Sequence, residues 1–195
     1  MKGNLRPWKR PVLRRLAGFG RFRKRERFEL VDFGSSNAYG MRVRASQNMK
    51  KVFVAVDPEY RLRETHNLGH LRSTSNFKPV PLGMKAFVEF MVKNGSKSRE
   101  IQFRMPTPRD VESIIPEFRF LFKNFERVVE KGGKIFVTSE VVEIIHVIES
   151  LAQKNHLHVK PAQPEQMTET ELMAMHGMKL AGMEPKIHGV EITIA

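Results

Sequence analysis

Two short apolar runs frame the stretch from Phe28 to Tyr60, FELVDFGSSNAYGMRVRASQNMKKVFVAVDPEY. Phe28–Phe33 carries Asp32 near its end, and Val52–Val56 is closed by Asp57. A Gly/Ser/Asn turn and a more polar segment lie between them. Buried parallel strands read as near-continuous apolar runs, and a strand–turn–helix–strand unit of this size is a βαβ crossover. The pattern therefore predicts strands over 28–33 and 52–56 with a helix between. In an open α/β sheet, the turn after the first strand and the acid closing the second meet a nucleotide-like ligand. Here the turn GSSNAYG keeps Gly34 and Gly40, and puts Ser36 and Ala38 where a strict alternate-glycine loop has glycines.

Downstream, Pro58–His66 fits a short helix, and HNLGHLRSTSNFKPVPLG reads as mostly loop with room for a short strand. Met84–Lys93 has helical spacing, and its Met and Phe stripe reads as core. Arg99–Arg104 is a strand, followed by the proline-stiffened turn Met105-Pro106-Thr107-Pro108. Such a turn at a strand's carboxyl end either holds a substrate edge or is an ordinary connection. Within Asp110–Glu130 a helix is expected from Pro116, with Phe118, Leu121, Phe122, Phe125 and Val129 on its apolar face and Lys131-Gly132-Gly133 as its stop. Lys134–Val137 is the next strand, Ser139 a cap for a helix over Glu140–Lys154, and His156–Val159 another strand. A helix over Thr168–Met178 and a strand over Val190–Ile194 end the chain. Strands alternating with helices predict a doubly wound, Rossmann-like α/β sheet over residues 28–195.

Charge adds a second component. Residues 1–27 hold eleven of the 34 Lys and Arg and one of the 21 acids, a net of +10 out of +13. The remaining 23 basic and 20 acidic residues leave the body at +3. The arm also carries Trp8, Phe19 and Phe22, a mixture suited to unpaired nucleic acid, where bases stack on rings and guanidinium planes. Arg14, Arg15, Arg21, Arg23, Lys24 and Arg25 are its candidate phosphate contacts. A solubilising tail or an anionic membrane surface are the other uses of such an arm, although no sustained amphipathic helix supports the membrane. The chain has no cysteine, which excludes disulfides and thiolate metal sites. His66 and His70 lack an acidic third ligand, so no metal is expected. Without a transmembrane-length apolar run or signal-peptide core, a cytoplasmic protein is expected.

With these pieces placed, most of residues 28–195 resembles a class I S-adenosylmethionine-dependent methyltransferase. The resemblance rests on VDFGSSNAYG, VAVDPEY, IIPEFRFLFKNFERVVEKGGKIFVTSE and the final strand pair. It is nearest to the tRNA (guanine-N7)-methyltransferases, whose Pro-Asp-Pro-Trp loop matches Pro106-Thr107-Pro108-Arg109 in part and whose late Thr-x-x-Glu matches Thr168-Glu169-Thr170-Glu171. Thr107 stands in place of the family's acid, and the Trp and the basic cluster after it are absent.

The resemblance implies a mostly parallel sheet with an antiparallel last strand, S-adenosylmethionine as cofactor, and RNA, tRNA above all, as substrate. It assigns Gly34 to the backbone approach of the methionine moiety, with Ser36 next in the loop. Asp32 would orient the loop or face the cofactor's amino group, and Asp57 would take the two ribose hydroxyls. Thr168 and Glu171 would contact a guanine or the methionine group, and Pro106 and Thr107 the substrate edge. Thr-x-x-Glu is also the capping-box pattern, Ser36 a common turn former, and an acid a common strand end. The alternative function is a cofactor-free nucleic-acid-binding protein on a degenerate methyltransferase fold.

Overall fold

The computed structural model describes residues 22–34, 38–60, 74–104, 111–162 and 187–194. Its apolar runs pair as their pattern requires. Strands β1 (Arg27–Phe33), β2 (Phe53–Val56), β3 (Phe77–Val80), β4 (Lys97–Arg104), β5 (Val129–Ser139), β6 (Leu157–Pro161) and β7 (His188–Ile194) form one sheet in the order β3-β2-β1-β4-β5-β7-β6. The pairs β3–β2, β2–β1, β1–β4 and β4–β5 are parallel, whereas β7 runs antiparallel between β5 and β6. The expected Rossmann-like sheet with an antiparallel last strand is thus the observed one.

Register partners in a ladder share a face, so the two sides can be read across the strands. Leu30, Phe53 and Phe77 lie on one side with Met41 and Ala45 of helix α1 (Tyr39–Gln47). Val31, Val54, Ile101 and Ile135 lie on the other. There they meet Phe87 and Met91 of α2 (Met84–Asn94), Phe118 and Leu121 of α3 (Val111–Lys123), and Ile144 and Ile148 of α5 (Val142–Gln153). A short turn of helix, α4 (Phe125–Val128), precedes β5.

Several boundaries differ from the sequence reading. The helix expected from Pro116 begins at Val111 and keeps Pro116 inside it. It ends at Asn124, whose side-chain amide donates to Phe120 O at 2.9 Å and whose backbone N–H donates to Leu121 O at 3.0 Å. Lys131-Gly132-Gly133 is therefore no helix stop; it lies within β5. Between Ser98↔Val129 and Glu100↔Lys134 the ladder shifts register, and the glycines accommodate the shift. Gly132 takes φ +77°, and a Cβ on Gly133 would sit 2.5 Å from the Arg99 carbonyl oxygen. The stretch read mostly as loop contains β3, whose Pro79 is tolerated because β3 is a sheet edge. Ser139 Oγ accepts the Val141 N–H at 3.0 Å, just ahead of α5.

Residues 22–26, counted with the basic arm by charge, are fastened to the fold. Phe22 packs on Phe28, Phe87 and Phe90, with ring centroids 5.0–6.1 Å away. Glu26 accepts Lys78 Nζ at 2.5 Å, the two side chains only 9% and 4% exposed, and the Arg23 N–H at 3.0 Å. Lys78 also lies 4.7 Å from the Phe22 ring. This buried pair ties the entry to β1 onto edge strand β3. Removing one member leaves a desolvated charge, which costs about 3–5 kcal/mol, whereas replacing both is often near neutral. Lys78→Met should therefore destabilise by about that amount in urea melts, and adding Glu26→Gln should recover most of the loss. A double variant no more stable than the single would show that packing, not charge, sets the cost.

Glu117 on α3 reaches the start of α2, where Gly83 offers no side-chain cap. Burial is the largest influence and raises its carboxyl above the ordinary range, against the backbone hydrogen bonds from Lys85 and Met84 and the Lys85 charge, which lower it. The folded chain thus holds this proton more tightly than the unfolded chain. That contribution is complete below the ordinary carboxylate pKa and is lost as pH rises through the raised value. Urea melts from about pH 4 to pH 7 should show a decline with pH that flattens in Glu117→Gln; an unchanged profile would place the titration elsewhere.

Candidate functional site

Strand order reverses between β1 and β4, because the chain winds outward from β1 to β2 and β3 and then returns to β4 on β1's other side. Loops leaving β1 and β4 at their carboxyl ends diverge there, and this is where open α/β sheets hold ligands. Asp32 is the penultimate residue of β1, 9% exposed. Asp57 directly follows β2 and is 7% exposed. Asp32 is in register with Ala55, so it shares a face with Asp57 two residues further along. Strand spacing and rise put their Cα atoms about 8 Å apart. The Glu59 N–H donates to Asp57 Oδ1 at 2.8 Å and fixes that carboxylate at the strand end.

Gly34 lies between the two acids. Its N–H donates to Val56 O at 2.8 Å, extending the ladder, and its φ of +69° turns the chain out of the sheet. A Cβ built there meets nothing within 4 Å. The glycine is thus required by backbone conformation, and it leaves open space above the strand ends. Ala38 holds φ +56° at the start of α1, a conformation glycine favours. Its methyl is turned into the core with Met41, Leu30 and Tyr60. Glycine-like geometry therefore persists at this loop position without the glycine. The first turn of α1 has neither a side-chain cap nor an acid, so its N–H groups and dipole favour an anion at the same edge.

Two further groups at this edge were not recognised in the sequence. Gln102 is in register with Asp32 on the side away from β2 and is 4% exposed. It hydrogen-bonds Glu100 and accepts Arg104 Nε at 3.0 Å. Arg104, one residue beyond the Phe33↔Phe103 pair, lies over the Phe136 ring at 4.9 Å. The only signal in REIQFR is a glutamine buried where an apolar residue is expected.

The structure brings together Asp32, Gly34 and Asp57. Arg23, Lys24 and Arg25 are exposed at the amino end of β1, the opposite pole of the sheet. Ser36, Pro106, Thr107, Thr168, Glu171, Arg14, Arg15 and Arg21 lie outside the described residues, as do His66 and His70. Among the described residues, no group of three or more His, Asp or Glu is placed to hold a metal, and no helix is long and apolar enough to cross a membrane.

No family model and no curated protein matches the sequence. Solved structures do match its fold. The antibiotic-resistance methyltransferase Kmr superposes with TM-score 0.55 at 13% identity, covering 97% of this chain and 94% of that one. A 16S rRNA (adenine(1408)-N(1))-methyltransferase from Catenulisporales acidiphilia, solved with the cosubstrate SAM, gives TM-score 0.55 at 11% identity over 85% of each chain. The Methanococcus jannaschii fibrillarin pre-rRNA processing protein gives 0.54 at 14%, covering 96% and 76%. The fold is that of the Rossmann-like methyltransferases.

The role of Gly34 is open to a stability test. A left-handed φ costs an L-residue about 1–2 kcal/mol, and no atom stands in the way of a Cβ. Gly34→Ala should lose about that much in denaturant melts; a loss well above 3 kcal/mol would mean that a clash, not the backbone, is decisive.

Proposed function

We propose that the chain is an S-adenosylmethionine-dependent methyltransferase acting on RNA. The observation that carries this reading is the set of groups at the switch point: two buried acids on one face, flanking a left-handed glycine with open space above it. Beside them starts a helix without a cap. This donor set fits the cofactor's parts. Asp57 would accept the two ribose hydroxyls in charge-assisted hydrogen bonds, Asp32 would face the ammonium, and the first-turn amides of α1 would take the carboxylate. Gly34 would let the backbone approach without a side chain intervening.

The cofactor, when bound, supplies a methyl group on a cationic sulfur, which is displaced in line by a nucleophile. The protein's part is to fix that line and exclude water, so positioning carries most of the rate. No strong acid or base is needed for it, in keeping with a site of carboxylates and backbone groups. Support for RNA comes from the basic arm and from the fold neighbours, two of which are named for rRNA or pre-rRNA. Within RNA, Pro106-Thr107-Pro108 and Thr168-Glu169-Thr170-Glu171 favour a tRNA guanine base; nucleoside analysis after reaction decides it. The alternative, a cofactor-free nucleic-acid-binding protein on the same fold, draws on Ala38 in place of a glycine; Ala38 is itself buried with Met41, Leu30 and Tyr60.

Calorimetry with S-adenosylmethionine and S-adenosylhomocysteine should show binding in the micromolar range, about −7 to −8 kcal/mol. Asp57→Ala should weaken it more than tenfold. Absence of heat at millimolar ligand would remove the enzyme; a smaller loss in Asp57→Ala would remove the ribose assignment.

A further inference from the structure

A cleft of about 640 Å³ opens along the amino-terminal half of the sheet, beside the C-terminal end of α1 and on the side away from Asp57. Its charged lining is four cations, Arg44, Lys51, Arg99 and Lys134, against two acids, Glu29 and Glu100. The cations outnumber their partners. Glu29 is shared by Lys51 at 2.8 Å and Arg99 at 3.5 Å, and Glu191 by Lys134 and Lys160, each at 2.8 Å. Arg44 is exposed and makes no ion pair among the described residues. The root of the basic arm reaches the sheet at its amino pole, with Arg23, Lys24, Arg25 and Arg27 all exposed.

Part of this charge has a local cause. Crossover helices run opposite to the parallel strands, so their C-termini arrive at this pole, where cations complement the macrodipole. Arg44, Lys93 and Lys123 are such last-turn residues. The dipole does not account for Lys51 in a turn, or for Arg99 and Lys134 in strands. Those three surround a concavity whose cations outnumber its acids, and low-dielectric walls concentrate the resulting positive field there.

We infer that this cleft is a docking site for the RNA phosphate backbone, so that RNA is held on the amino-terminal side of the sheet, away from the methyl-transfer site. The inference rests on the RNA reading above. It has a geometric consequence: Arg99 adjoins Glu100, which is in register with Leu30, so it stands three residues short of the Asp32 level, about 10 Å along the strands.

The test uses the full chain and a labelled RNA stem-loop in a salt titration followed by anisotropy. A cation contacting phosphate contributes about one to the slope of log K against log salt. Arg44→Gln should flatten the slope by about one and weaken binding several-fold at low salt. Arg44→Gln with Arg99→Gln should flatten it by about two, and Arg44→Lys should restore the first slope. Melting temperature, measured in parallel, should fall by no more than about 3 °C, the loss of a last-turn cation, and S-adenosylhomocysteine binding should be unchanged, which separates a docking defect from a folding or cofactor defect. Slopes equal to the parent's in both glutamine variants would overturn the inference while leaving the cofactor site standing. So would no salt-dependent RNA binding by the parent, or binding to phosphatidylserine vesicles in place of RNA.

Discussion

Parallel pairing of β1 with both β2 and β4 is the constraint on which the rest depends. It buries β1 from Leu30 to Phe33 on both faces, which is why that run reads as nearly continuous apolar sequence. It also forces the chain to leave β1 in one direction and return on the other side. The divergence opens a crevice at the carboxyl end that no side chain has to excavate. Every group of the candidate site is placed by that event: Asp32 by its position on β1, Asp57 by register with β1 through β2, and Gly34 by the turn that leaves the sheet.

The same winding separates the two strand-end acids from the basic cluster. Acids and the uncapped start of α1 collect where the strands end; helix C-termini, the arm's root and the basic cleft collect where they begin. Both poles thus follow from one topological choice, with local electrostatics adjusting each. The buried Glu26–Lys78 pair joins the two regions of sequence that charge alone would divide. It makes the last residues before β1 part of the fold and lets β3, with its lysine and proline, close the sheet edge.

Long, clearly patterned elements were legible in the sequence: β1, β2, α2 and α5 all fall within a few residues of their expected spans. The places of Asp32 and Asp57 at neighbouring strand ends were legible too, because each stands at the end of an apolar run. What misled the reading was residues with two uses. Gly132 and Gly133 stop helices in many proteins, but here they absorb a register shift against Arg99. Lys78 and Pro79 argue against a strand locally, and only a partner 52 residues away makes the lysine's burial tolerable. Gln102 and Arg104 come beside Asp32 through register across the sheet, which spacing along one strand does not reveal. The basic cleft is assembled from four separate elements and has no linear signature at all.

The central claim is that the cofactor lies at the carboxyl ends of the strands and RNA on the amino-terminal side of the same sheet. Amide hydrogen exchange measures this directly, with S-adenosylhomocysteine and a folded RNA added separately. The account predicts that the cofactor product protects peptides spanning Gly34–Arg42 and Asp57–Tyr60, and that RNA protects Arg44–Lys51 and Lys97–Arg99. Protection of the amino-pole peptides by S-adenosylhomocysteine, with the carboxyl-pole peptides unaffected, would contradict it.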